Sequence, residues 1–193
     1  MAHINLKNDF PGIRGLMAFD PEAAEALNKL ANVLLRRQTG LSPGDREMIA
    51  TFVSSQNDCF FCQHVHGAVA SEHLGDEDGS LICKVKEDYL TAPVSDKMKA
   101  LLAIAGSVQK GGKNVTSEQV EKAKAEGASD QEIHDTVLIA AAFCMFNRYV
   151  DGLGTWAPQD LNVYKERAPA IVEHGYSGQV NFNSSFLGTS TPS

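Results

Sequence analysis

The stretch SPGDREMIATFVSSQNDCFFCQHVHGAVASEHLG, residues 42–75, decides the fold class. It opens with Ser42-Pro43, a helix cap followed by proline at the first helical position, and Asp45 completes a capping-box variant. Met48, Ile49, Phe52 and Val53 then recur at helical spacing. A second helix is predicted to start near Asn57 or Asp58 and run to Leu74, with Gly75 just past its end.

The same grammar repeats on both sides. Asp20-Pro21 opens a helix carrying Leu27, Leu30, Ala31 and Leu34, with Arg36-Arg37 in its last turn before Gly40. Another helix is expected over about residues 77–90, stopping before Pro93. Ser95 opens one with Met98, Leu101, Leu102 and Ala105 on one face, closed by Gly111-Gly112. Thr116 or Ser117 opens a short one that Gly127 closes. Ser129 and Glu132 form a capping box for one carrying Ile133, Val137, Ala140, Ala141 and Cys144, with Gly152 after it. Its run Val137 to Phe146 is apolar all round, the mark of a central helix or a subunit interface. No long alternating β-branched run and no Asn-Gly hairpin appear. The reading is therefore all-α: a helical bundle of about seven or more helices over residues 1–176. Residues 177–193, SGQVNFNSSFLGTSTPS, read as a polar C-terminal tail.

Composition narrows the function. Among 193 residues, 17 Lys and Arg face 24 Asp and Glu, a formal charge of −7. That balance argues against nucleic acid or an anionic membrane as partner. No apolar run approaches the ~18 residues of a membrane span. The N-terminus MAHINLKNDF lacks a basic region followed by an apolar one, so it does not read as a secretory signal and a cytoplasmic location is expected. Four cysteines are too few to frame a secreted scaffold of this length. Two of them form a C-x-x-C, which in a reducing compartment points to redox or metal chemistry.

Glu47, Cys59, Cys62 and His66 stand in the pattern E-x(11)-C-x-x-C-x(3)-H. On a regular helix Cys62 and His66 lie at about 300° and 340° from Cys59, all on one face. Cys62 and His66 are an i,i+4 pair, so the imidazole can take the thiol proton and remain as a stabilising cation. Glu47, on the preceding helix, can orient that ring or carry its proton onward. The helix N-terminus favours a thiolate nearby, and taken alone this points to Cys59 as the more acidic thiol. Cβ atoms at i,i+3 lie about 5–6 Å apart on a helix, whereas a disulfide wants about 3.5–4.5 Å, so closing the bridge should distort the first turn. Cys59, Cys62 and His66, with Glu47 or His64 as a fourth ligand, also describe a zinc site, but there is no second C-x-x-C to complete the commoner pattern. His64 points away from Cys62, and His73 lies two turns beyond His66. Cys83 and Cys144 read as small core residues, and Arg148 with Asp151 as a structural ion pair. KGGK at 110–113 reads as a loop.

The four-part motif resembles that of the alkylhydroperoxidase D-like branch of the carboxymuconolactone decarboxylase superfamily. The stretch FNRYVDGLG, residues 146–154, resembles that of its peroxidase-related subgroup. The resemblance implies an all-α homo-oligomer that reduces hydroperoxides through thiols, without a cofactor or metal. By that likeness Cys62, paired with His66, is the peroxidatic cysteine, Cys59 resolves its sulfenic acid, and Glu47 serves the proton relay. Hydroperoxide and a dithiol reductant are the implied partners. Phe60-Phe61 stand where the best-known members carry a histidine between the cysteines, so one relay element is absent. Two other readings share the sequence: a lactone-processing decarboxylase that would not need both cysteines, and a redox sensor that forms the disulfide without turnover.

Overall fold

The computed structural model describes residues 2–176, and the predicted tail at 177–193 lies outside them. The described residues are all-α. Nine helices follow in order: α1 (Ile13–Phe19), α2 (Pro21–Arg36), α3 (Pro43–Gln56), α4 (Phe60–Leu74), α5 (Ser80–Asp88), α6 (Asp96–Lys110), α7 (Ser117–Ala125), α8 (Asp130–Gly152) and α9 (Asn162–His174), with a 3₁₀ turn at Gly112–Asn114.

The caps act where the sequence puts them. The side chain of Asp20 accepts from the Ala23 amide, and Ser42, Thr116 and Ser129 each form a reciprocal capping box. Each such cap stabilises its helix by roughly 1 kcal/mol. α3 is the central element: every residue from Arg46 to Ser54 is buried, and it packs against α4, α6 and α8. Ile49 and Val53 are fully buried. A buried side chain of that size contributes about 1.5–3 kcal/mol.

One buried cation ties the layers together. Arg46 donates to the carbonyls of Leu34, Thr39 and Leu41 and, at 2.7 Å, to Asp135 on α8. Arg36 performs a similar task at the far end of the chain, donating to the carbonyls of Ile171 and Val172 in the last turn of α9.

Two helices lie outside the sequence expectation. α1 is only seven residues long, and its N-cap Gly12 makes no side-chain cap. α9 has no capping side chain and carries Pro169 inside. Both are held by tertiary contact. α9 packs on α4. α1 is held by a clasp between two chain segments: His3 N–H donates to Leu153 O, Gly12 N–H to Trp156 O, and Trp156 Nε1 to Asp9 O. Gly12 is required here, because a Cβ would lie 2.3 Å from the Phe61 ring and φ is +55°.

Other expectations are corrected. α4 starts at Phe60 rather than Asn57 or Asp58, because Asp58 takes a left-handed conformation, φ 56°, and breaks the run. α5 is shorter than residues 77–90; the Asp76 carboxylate takes the amides of Leu81 and Ile82 in its first turn. Cys83 is exposed, on the outer side of that short helix, rather than in the core. Cys144 is half-buried and packs against the main core.

Candidate active site

The α3–α4 junction places the cysteines. Asn57 caps α3, Asp58 turns left-handed, and the amides of Asp58 and Cys59 return to the carbonyls of Ser55 and Ser54. That is a Schellman motif. Cys59 is at once its last residue and the N-cap of α4, with the Gln63 amide donating to its carbonyl. The Cys59 backbone is thus bound from both sides. Its side chain makes no capping bond, which leaves the thiol to face Cys62 at the third helical position.

This alters the disulfide argument. Cys59 has extended backbone angles, φ −80° and ψ 96°, and lies outside the regular helix. An N-cap side chain folds over the second and third residues of its helix. The regular-helix separation therefore does not apply, and the bridge can form without unwinding the first turn. Both cysteines are buried.

The two thiols are inequivalent. The Cys59 thiol is pushed up by its hydrogen bond to Cys62, then by burial, then by negative charge on Cys62. Cys59 is therefore the sulfur held as a thiol, contrary to the expectation from the helix dipole alone. Cys62 also sits in the first turn of α4, where the dipole favours an anion.

His66 lies one turn further along α4. Its Nδ1 is 2.7 Å from Glu47 Oε2 and 3.1 Å from the Tyr176 hydroxyl. That hydroxyl donates to Glu47 Oε1 at 2.7 Å. A carboxylate accepts only, so the consistent assignment has Nδ1–H donating to Glu47, with Nε2 carrying the basic lone pair. Glu47 is 2% exposed, held by its place on the central helix. Burial, the Glu47 charge and the hydrogen bond to Glu47 all push the Tyr176 hydroxyl well above its ordinary range, so it stays protonated.

Tyr176 is the site residue with no sequence signal. It follows Gly175, φ 72°, where a Cβ would lie 2.6 Å from Asn32 Oδ1. The same Asn32 oxygen accepts the Tyr176 amide at 2.9 Å. The turn after α9 thus delivers a tyrosine to a glutamate 129 residues away in the chain.

Cys62, His66 and Tyr176 share a mostly apolar cavity of about 70 Å³, with Phe61, Phe143 and Phe146 among its walls. Cys59 is not part of that lining. Tyr164, also on the wall, has its hydroxyl pushed up to about 12, first by burial and then by the electrostatic influence of the neighbouring cysteines.

Asp151 does not pair with Arg148. Arg148 donates to the Cys144 carbonyl, while Asp151 stands as an alternative acceptor for the Cys59 thiol proton. Burial pushes the Asp151 carboxyl up against that hydrogen bond, and the neighbouring Asp58 charge adds to the rise. His64 stacks on Phe60, and its Nδ1 lies 2.8 Å from the Phe60 carbonyl, away from the Glu47–His66 pair. His73 lies near enough to Glu47 to feel its charge, while burial pulls its imidazole down. Among the described residues, no group of three or more His, Cys, Asp or Glu side chains is arranged to hold a metal ion.

The arrangement is a nucleophile, a base and an orienting acid, with a phenol holding the acid's second oxygen. It can deprotonate Cys62, supply a proton to a leaving group, and pass the oxidised sulfur to Cys59.

Residues 21–78 match the model described as the Carboxymuconolactone decarboxylase family, a span that includes Glu47, Cys59, Cys62 and His66. Two solved structures are similar over most of the chain. One is described as an alkylhydroperoxidase AhpD core, an uncharacterized peroxidase-related protein from Ralstonia eutropha JMP134; it is 25% identical with a TM-score of 0.72, over 83% of this chain and 85% of that one. The other is an uncharacterized peroxidase-related protein from Silicibacter sp. TM1040, 26% identical with a TM-score of 0.71, over 78% of each chain. No curated protein matches the sequence.

Proposed function

We propose that this chain, a member of the alkylhydroperoxidase D-like branch of the carboxymuconolactone decarboxylase superfamily, is a thiol-dependent peroxidase in which Cys62 attacks and Cys59 resolves. The observation that carries the reading is the division of labour between the sulfurs: Cys62 opens on the cavity with His66, and Cys59 stands behind it as a hydrogen-bond donor.

His66 Nε2 takes the Cys62 proton, and Glu47 and Tyr176 hold the imidazolium in place. The thiolate attacks the terminal oxygen of ROOH, the O–O bond breaks, and the leaving alkoxide takes the proton from His66 as ROH. Cys62 is now a sulfenic acid. The Cys59 thiol then displaces its hydroxyl: a disulfide forms and water leaves, with Asp151 placed to take the Cys59 proton. An external dithiol reduces the bridge by exchange and is itself oxidised. The relay needs no histidine between the cysteines, because Glu47 and Tyr176 already engage His66 Nδ1.

We read the protein as cytoplasmic; no helix among the described residues is long and apolar enough to cross a membrane. The exposed Leu138 and Met145 on α8 support assembly with further copies of the chain.

The test is peroxide consumption with a panel of dithiols. Cys62→Ser should abolish it. Cys59→Ser should stop after one turnover, leaving a sulfenic acid that dimedone traps. Unchanged turnover in Cys62→Ser would refute the mechanism. The family match favours one second reading, lactone decarboxylation. Turnover of a carboxylated lactone by the Cys59→Ser/Cys62→Ser double variant would select it.

A further inference from the structure

The cavity over Cys62 admits the oxidant, but the sulfur that a reductant must attack does not line it. In thiol–disulfide exchange the attacking thiolate approaches one sulfur in line with the bond it breaks, and the sulfur that better carries negative charge leaves. In a Cys59–Cys62 bridge the better leaving sulfur is Cys62. It lies in the first turn of α4, where the helix dipole favours an anion, one turn from His66. Cys59 is held as a thiol by its hydrogen bond to Cys62 and then by burial, and the burial persists when the bridge is closed. Attack therefore falls on Cys59, from the side away from Cys62. Cys59 is 0% exposed, and the cavity of about 70 Å³ holds only roughly five water-sized groups.

A loop packs over the cluster that holds Cys59. Cys59 is buried with Phe61, Cys62, Val150 and Tyr164, and Ala157, from the loop joining α8 to α9, packs against them. Residues 155–158 of that loop have no regular secondary structure. Its first half is pinned to the N-terminal segment through Leu153 and Trp156. Its second half is fastened to α9, where the Tyr164 hydroxyl donates to the Pro158 carbonyl at 2.9 Å. Ala157 and Pro158 are half-buried, so lifting them exposes little apolar surface. A segment of that kind opens locally at small free-energy cost.

We propose that the dithiol reductant enters by a second entrance, separate from the peroxide cavity: residues 157–161 lift from α9, and the dithiol attacks Cys59 beneath them. The place of this step in a catalytic cycle rests on the peroxidase reading above. A thiolate of the dithiol bonds to the Cys59 sulfur, the Cys59–Cys62 bond breaks, and Cys62 leaves as a thiolate that regains its proton from His66. The second thiol of the reductant then displaces Cys59 and closes the reductant's own disulfide. Asp151 is placed to return a proton to Cys59. Two electrons and two protons pass from the dithiol to the bridge.

The test uses the full chain with its bridge closed by diamide, which makes it independent of peroxide turnover. Brief exposure to 2-mercaptoethanol, quenched with N-ethylmaleimide, should give peptides with the thiol adduct on Cys59 and the maleimide on Cys62, as fragmentation mass spectrometry resolves. Tyr164→Phe keeps the ring and removes the fastening to Pro158. It should raise the rate of bridge reduction by dithiothreitol about fivefold, the effect of one hydrogen bond, with a melting temperature near that of the wild type. Alkylation of Cys59 by iodoacetamide in a Cys62→Ser background should rise by the same factor. An adduct on Cys62, or none on Cys59, would overturn the assignment, as would a reduction rate that Tyr164→Phe leaves unchanged. Adducts on Cys59 and faster reduction in Tyr164→Phe, with no consumption of hydroperoxide by the wild type, would sink the peroxidase reading and leave this route standing. Hydroperoxide consumption with the adduct on Cys62 would do the reverse.

Discussion

Glu47→Gln isolates the charge that steadies His66. The substitution is nearly isosteric, and the new amide oxygen can still accept from the Tyr176 hydroxyl, which donates to Glu47 Oε1 at 2.7 Å. Two things are lost. The first is the ion pair formed when His66 holds the Cys62 proton, with Nδ1 2.7 Å from Glu47 Oε2. Charges centred about 4 Å apart attract by roughly 4 kcal/mol at an effective dielectric of about 20. The second is the tautomer: an amide N–H facing Nδ1 moves the ring proton to Nε2 and removes the lone pair that the proposed relay uses to take the thiol proton. In a hydrolase triad the equivalent carboxylate-to-amide change costs about 10⁴-fold. The electrostatic loss alone corresponds to about 10³-fold at 1.4 kcal/mol per decade. We therefore expect Glu47→Gln to slow alkylation of Cys62 by iodoacetamide, and peroxide consumption, by about 10³-fold or more at pH 7. The melting temperature should stay near that of the wild type. Rates within threefold of wild type from pH 6 to 9 would refute the relay, whatever the fate of the cysteines.

Tyr176→Phe removes one donor to the same carboxylate and should fall between wild type and Glu47→Gln, about tenfold slower in the alkylation assay, since a hydrogen bond to a charged group is worth about 1.5–3 kcal/mol. Arg46→Leu leaves Asp135 buried beside three abandoned carbonyls and should cost about 3–5 kcal/mol in urea unfolding. The linked pH effect has a definite sign. Burial pushes the Asp135 carboxyl up, but hydrogen bonds from Arg46, His134 and Gln131 outweigh it and hold it below its ordinary range. Its contribution is present above about pH 4, the unfolded value, and is lost as pH falls through the lower folded value. Asp135→Asn should therefore destabilise at pH 7 and matter little at pH 2, as an acid-unfolding series would register. Gly12→Ala strains a left-handed residue and drives a methyl into Phe61; about 2–4 kcal/mol should be lost in thermal melts, together with slower alkylation of Cys62.

The parts of the fold legible in the sequence are those with local causes. Ser42, Ser95, Thr116 and Ser129 cap the helices they were expected to cap, because capping is settled within four residues. α1 and α9 were not legible. Neither has a capping side chain, and each exists because another part of the molecule holds it: Trp156 and Leu153 for the segment leading into α1, Arg36 for the last turn of α9. The site divides in the same way. Glu47, Cys59, Cys62 and His66 lie within 20 residues, so spacing alone could group them. Tyr176 could not be found by spacing, since only the packing of α9 on α4 and the turn at Gly175 bring it in. The spacing pairs Asp151 with Arg148, because i,i+3 neighbours usually meet; the fold instead turns that carboxyl toward the Cys59 thiol across the junction. The start of α4 is hidden from composition by a local cause, the left-handed Asp58.

The clasp between residues 3–12 and 153–156 has a practical meaning for anyone handling this protein. It holds α1, whose Ile13, Arg14 and Met17 form one wall of the cavity over Cys62. Cutting the chain back to the first helix, or crowding His3 with a rigid fusion, would therefore open the reaction chamber to water while leaving both cysteines and the relay intact. Such a preparation would keep its helical content and its reactive thiols, yet lose discrimination among substrates. The residues before α1 are better treated as part of the cavity wall than as a convenient place to attach a handle.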